Sequence, residues 1–166
     1  MNHAYFMQKA LALAKNSLAQ GEFPVGCVLI QANRIIVSGS RIGTTGESTN
    51  ELDHAEMVAL KRLSELQSPP DPNRLTLYTT LEPCLMCFGA LLIRGIRKIV
   101  YAYEDAMGGA THCDLSLLPS LYHQRKISVV PNILRDESIS LFKAFFTNPQ
   151  NTYLKESFLA SYTLRQ

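Results

Sequence analysis

A chain of 166 residues is long enough to close one hydrophobic core without staples and short enough to be a single domain. Its 46% hydrophobic and 18% charged residues are those of an ordinary globule, and no apolar run reaches the roughly 18 residues that a membrane span needs. The net charge of +2 neither points to a polyanionic partner nor excludes one.

The first residues lack the charged head, apolar stretch and small-residue cleavage site of a signal peptide, so the cytoplasm is the expected compartment. Met7, Leu11, Ala14 and Leu18 recur at helical spacing and predict a helix over 4–19, stopped by Gly21. Residues 24–30 form an apolar run, and residues 35–37 return after a short turn, which predicts a hairpin. The Gly-, Ser- and Thr-rich stretch 39–50 reads as a loop. Asp53 is the expected N-cap of a helix over 54–66, with Met57, Leu60 and Leu63 near one face. Three prolines at 69, 70 and 72 precede a strand over 75–79, and Pro83 suits the first turn of a helix reaching Arg94. Strands over 98–103 and 127–130 follow, then a helix over 135–146 and, past Pro149, a helical piece over 153–162. Strands alternating with helices after an initial hairpin predict a layered α/β domain with a mixed sheet. The single domain would span 1–166, with 149–166 as a C-terminal helical extension.

Cys84 and Cys87 stand three apart behind Pro83. At the start of a helix this spacing puts both sulfurs on one side, and the helix N-terminus favours thiolates. The pair fits two ligands of a tetrahedral zinc; a redox couple of the thioredoxin kind and two buried thiols are the alternatives. His54, heading the other helix, supplies a third ligand, and two thiolates with a neutral imidazole balance a divalent ion and leave one position open. That is the donor set of a catalytic zinc rather than a structural one. Cys27, Cys113, His3, His112 and His123 make no further ligand pair with these motifs; Cys27 reads as a small core residue. Glu56 lies two residues after His54, in the first turn, where a long side chain can reach back and carry a proton to and from water at the metal. A Glu there is otherwise only a helix-end charge, so the case rests on the conjunction: H-x-E followed by P-C-x-x-C, the signature of zinc nucleobase deaminases.

With residues 23–30, 77–83, 88–90 and 99–101, these motifs resemble the cytidine/deoxycytidylate deaminase superfamily over about residues 4–146. Within it the chain is most similar to the bacterial tRNA-specific adenosine deaminases and to relatives acting on free guanine or cytosine. The resemblance implies a three-layer fold, a mixed five-stranded sheet with helices on both faces. It implies one Zn2+ per chain on His54, Cys84 and Cys87, with Glu56 as proton shuttle. Ala55, Leu81 and Glu82 would line the base pocket, and members commonly form homodimers. Asp105 opens a segment, 105–110, similar to one in the tRNA enzymes, and reads equally as a substrate-binding residue or as a turn residue before Gly108 and Gly109.

Three departures bear on the substrate. The best match to the family's base-binding Asn is Ser40, whose hydroxyl lacks the paired donor and acceptor of an amide. Glu104 and Met107 flank Asp105 where the tRNA enzymes carry basic residues, and residues 147–152 are not basic. Polyanion binding draws on Lys and Arg, of which Arg94, Arg97, Lys98, Arg125 and Lys126 remain as a basic patch or a solvated rim. Tyr153, Phe158 and Tyr162 read as packing of the last helix. The reading is therefore hydrolytic deamination of a free base, nucleoside or small aminated heterocycle. The wobble adenosine of a tRNA anticodon loop is the alternative. A non-catalytic zinc-stabilised partner subunit is a third, against which Glu56 counts.

Overall fold

A two-residue turn at Ala32 and Asn33, with φ of 47° and 63°, joins strands β1 (Gly26–Gln31) and β2 (Arg34–Ser40). Paired left-handed turn residues match the twist of a hairpin, so the apolar runs on either side close directly on each other. The computed structural model describes residues 2–46 and 49–166. Along it run α1 (His3–Ala19), the hairpin, α2 (Ala55–Ser64), β3 (Thr76–Leu81), α3 (Leu85–Arg94) and β4 (Lys98–Tyr103). The short α4 (Ser120–His123), β5 (Ser128–Val130), α5 (Arg135–Thr147) and α6 (Phe158–Arg165) complete it.

The five strands lie in the order β2-β1-β3-β4-β5. β1 is antiparallel to both neighbours, whereas β3, β4 and β5 are parallel. This is the mixed sheet that the alternation of elements predicts. Successive side chains of a strand face opposite ways, and both faces here are covered. Cys27, Leu29, Leu77 and Ile99 join the core under α2 and α3, while Val28, Ile30, Tyr78 and Val100 join the one under α1. Three layers result. No helix among the described residues is long and apolar enough to cross a membrane.

Several boundaries differ from the sequence reading, for local reasons. β2 continues through Gly39 and Ser40, because pairing with Cys27 and Gly26 outweighs their weak strand preference, so the loop starts at Arg41. Residues 47 and 48 of that loop lie outside the described residues. The N-cap of α2 is His54 and not Asp53, whose carboxylate is engaged by Asn50 Nδ2 at 2.5 Å. α3 likewise starts at Leu85 with Cys84 as N-cap, leaving Pro83 outside it. Ala59 and Leu63 are the core side of α2, with Met57 and Leu60 half-buried. The last helix starts at Phe158, not 153, since Leu154 is left-handed at φ 54° and Ser157 Oγ accepts from Ala160 N.

Candidate metal centre and substrate cavity

Two N-caps bring the predicted ligands together. His54 and Cys84 both have extended backbones, and each leads directly into its helix. The carboxyl ends of parallel strands in an open α/β sheet form a crevice, and α3 begins there because β3 ends at Leu81. Glu82 N donates to Tyr103 O at 2.8 Å, Ala110 N to Pro83 O at 3.0 Å, and Cys84 bridges to Gly109. The turn carrying Cys84 is thus pinned between β4 and the segment that follows it.

His54 Nδ1 lies 3.5 Å from Cys84 Sγ and 3.6 Å from Cys87 Sγ, and all three ligand atoms fall within 4.8 Å of one another. Tetrahedral zinc, with Zn–N of about 2.05 Å and Zn–S of about 2.3 Å, sets N···S edges of about 3.6 Å. The donor set therefore fits zinc in both chemistry and spacing. Cys84 is drawn down to about 4, first because the Cys87 thiol donates to its sulfur and also because His54 does. Cys87 is pushed far up by holding that shared proton and by burial. Hydrogen bonding to Cys84 raises His54. A divalent cation replaces that proton when it binds.

Glu56 is 4% exposed, and its Oε1 accepts a 2.6 Å bond from Thr79 Oγ1. Burial raises its pKa, partly offset by the Thr79 hydroxyl. Its side chain reaches the face of a cavity of about 230 Å³ that His54 and Cys84 also line. Cys87 is fully buried, behind them.

Of the expected substrate residues, Ala55, Leu81, Glu82 and Asp105 line the cavity, and Ser40 does not. The Glu82 carboxylate accepts from Thr111 N at 3.1 Å and from the Thr111 hydroxyl, which ties it to the loop after β4. Asp105 Oδ1 accepts from Met107 N at 3.0 Å and Gly108 N at 2.9 Å, so it organises a tight turn at the cavity rim. Arg41, which sequence reasoning passed over, lines the cavity in place of its neighbour. Arg41 is the first residue beyond β2, where its amide still donates to Val25 O at 2.8 Å. Glu51, Tyr153, Leu154 and Leu159 also line the cavity, and the last three bring the C-terminal segment to its wall. The aromatic composition of the tail is the signal for this: Tyr153 packs edge-on against Phe23 at 5.4 Å, and Tyr162 stacks on Tyr103 at 6.4 Å. Phe158 is exposed. Of the basic residues, Arg97 and Arg125 share a groove away from this cavity.

Residues 1–103 match the family model for the cytidine and deoxycytidylate deaminase zinc-binding region, a span that holds His54, Glu56, Cys84 and Cys87. A tRNA-specific adenosine deaminase of Bacillus subtilis is 30% identical over 141 residues, 85% of this chain and 86% of its own. A structure from a study of A-to-I editing by tRNA:A34 deaminases superposes with a TM-score of 0.65 at 28% identity, covering 79% of this chain and 99% of that one. A guanine deaminase structure from Bacillus subtilis is 30% identical with a TM-score of 0.55, covering 63% of this chain and 66% of that one.

Proposed function

The chain belongs to the cytidine and deoxycytidylate deaminase family, whose region matched here is zinc-binding, and on that premise we propose that it deaminates a free base, nucleoside or small aminated heterocycle. The observation that carries the choice of a small substrate is the cavity of about 230 Å³ over His54 and Glu56, walled on one side by Tyr153, Leu154 and Leu159. Pockets for drug-sized ligands run to roughly 300–1,000 Å³, so this one suits a single heterocycle with a small substituent.

His54, Cys84 and Cys87 would hold zinc. When bound, zinc lowers the pKa of a coordinated water to about 7 and thereby supplies a nucleophile at neutral pH. Glu56 takes up a proton from water, and burial favours its holding one. It delivers that proton to the ring nitrogen beside the aminated carbon, then takes the second from the hydroxyl added to that carbon and passes it to the departing amine. Thr79 holds that carboxylate in place. Water gives its oxygen to the ring carbon, the carbon–nitrogen bond breaks, and ammonia leaves. Phe23, Val25, Leu81 and Leu154 give the cavity apolar walls that sandwich a planar ring and exclude bulk water.

A second reading, tRNA wobble adenosine, is favoured by the 30% identity to tRNA-specific adenosine deaminases. A cytoplasmic homodimer belongs to either reading. It is supported by the exposed Leu85 and Ile93 of α3, with Ile93 beside the half-buried Met57 and Leu60. The substrate is tested by incubating zinc-loaded protein with adenine, guanine, cytosine and their nucleosides, alongside a tRNA bearing a wobble adenosine. Conversion of a small compound with no inosine in the tRNA is the expected result; inosine in the tRNA alone reverses the choice.

A further inference from the structure

Arg41 is 2% exposed, yet it sits on the cavity wall. One end of its guanidinium is fixed: Nη1 donates to Ile42 O at 2.6 Å and Asp53 O at 3.0 Å. The other end is loosely held. Nη2 reaches Tyr153 Oη at 3.4 Å and Glu51 Oε2 at 3.7 Å. Glu51 is 58% exposed and already accepts the Tyr153 hydroxyl at 2.7 Å. The same chain makes a close pair elsewhere, where Arg135 Nε donates to Glu104 Oε2 at 2.7 Å and Nη2 reaches the other oxygen. A buried guanidinium is always charged, and taking it out of water is costly unless an anion faces it. Among the described residues no close, buried carboxylate does so for Arg41.

Among the described residues that line the cavity, Arg41 is the one Lys or Arg, beside the carboxyl groups of Glu51, Glu56, Glu82 and Asp105, so an entering oxyanion has this guanidinium as its one Lys or Arg partner there. An oxyanion docks on two guanidinium donors at once, and the fixed end of Arg41 leaves its Nη2 side toward that use.

We propose that Arg41 is the specificity-determining residue of this cavity and that it receives a carboxylate or phosphate oxyanion borne by the aminated heterocycle. The inference rests on the deaminase reading and deepens it. Tyr153 and Glu51 hold the place of that oxyanion when no substrate is present.

The experiment measures kcat/KM of the zinc-loaded protein on matched pairs: cytosine against its ring-carboxylated derivative, and adenosine against adenosine monophosphate. The anionic member of one pair should be preferred by about 10- to 100-fold, the range of a charge-assisted contact. Which pair shows it separates carboxylate from phosphate. Arg41→Gln should abolish the preference, Arg41→Lys restore part of it, and Glu51→Gln increase it by removing the competing carboxylate. Because Arg41 also holds two backbone carbonyls, the glutamine variant is compared at equal zinc content and melting temperature; if it does not fold, Glu51→Gln decides. Equal rates on both members, or loss of both in a folded Arg41→Gln, overturns the assignment. If wild type deaminates none of the four, calorimetric binding of the same pairs decides: tighter anionic binding that Arg41→Gln removes keeps Arg41 as the anion site while the deaminase reading falls, and equal binding overturns the assignment.

Discussion

Thr79 Oγ1 donates to Glu56 Oε1 at 2.6 Å, and Thr79 is completely buried. A central strand thus orients the carboxylate proposed as the proton carrier. Thr79→Val keeps the shape and removes the donor, leaving a buried carboxyl one partner short at a cost of about 1–3 kcal/mol. Turnover should fall by about 10-fold or more at unchanged zinc content. A variant with wild-type kcat would show that Glu56 needs no such support.

Gly39 is where α2 meets β2. A Cβ there would stand 2.0 Å from Ala55 O and 2.8 Å from Ala59 N. Gly39→Ala must push α2 outward, and with it His54 and Glu56 at its start. Stability should drop by about 1–3 kcal/mol, accompanied by weaker zinc retention, as read by thermal unfolding and metal analysis. Unchanged values for both would contradict this packing.

Cys87→Ser removes the buried sulfur that lies 3.6 Å from His54 Nδ1. Zinc should be lost and, because metal binding and folding are linked, so should stability. A loss of about 3 kcal/mol lowers the melting temperature by about 6–12 °C in a chain of this size. Chelator treatment of the wild type should reproduce the shift, and full zinc occupancy in the variant would refute the ligand set.

Glu104 joins β4 to the two C-terminal helices: it pairs with Arg135 on α5 and accepts from Tyr162 Oη on α6 at 2.8 Å. Arg135 first, against the opposing effect of burial, and then its own backbone amide and the Tyr162 hydroxyl hold its carboxyl below the ordinary 4.5. A depressed carboxylate stabilises the fold fully above the unfolded value and loses that contribution as pH falls through the folded one. Stability should therefore decline below about pH 4.5, and Glu104→Gln should flatten the decline. Denaturant midpoints across that range provide the check; equal slopes would remove the claim.

The metal centre was legible because ligand chemistry demands His and Cys at short, repeated spacings, and the hairpin and parallel strands because apolar runs were cleanly punctuated. What escaped depended on contacts distant in sequence. Arg41 stands one residue past the expected Ser40, and only the end of β2 decides which of the two reaches the cavity. Tyr153 lies 112 residues from Arg41, and no local pattern connects them. Asp53 looked like an N-cap by type, yet Asn50 claims its carboxylate and the chain caps with His54 instead. Asp105 read equally as a turn residue or a substrate contact; its bonds to Met107 and Gly108 show the turn, at the cavity rim.

The most direct test is ammonia release by zinc-loaded wild type and by Glu56→Ala at equal zinc content, across nucleobases, nucleosides and a few aminated heterocycles. The account predicts release by the wild type from at least one small compound and none from the variant, with one zinc bound to each. Release by the variant at a rate near that of wild type would contradict the role of Glu56 and, with it, the mechanism.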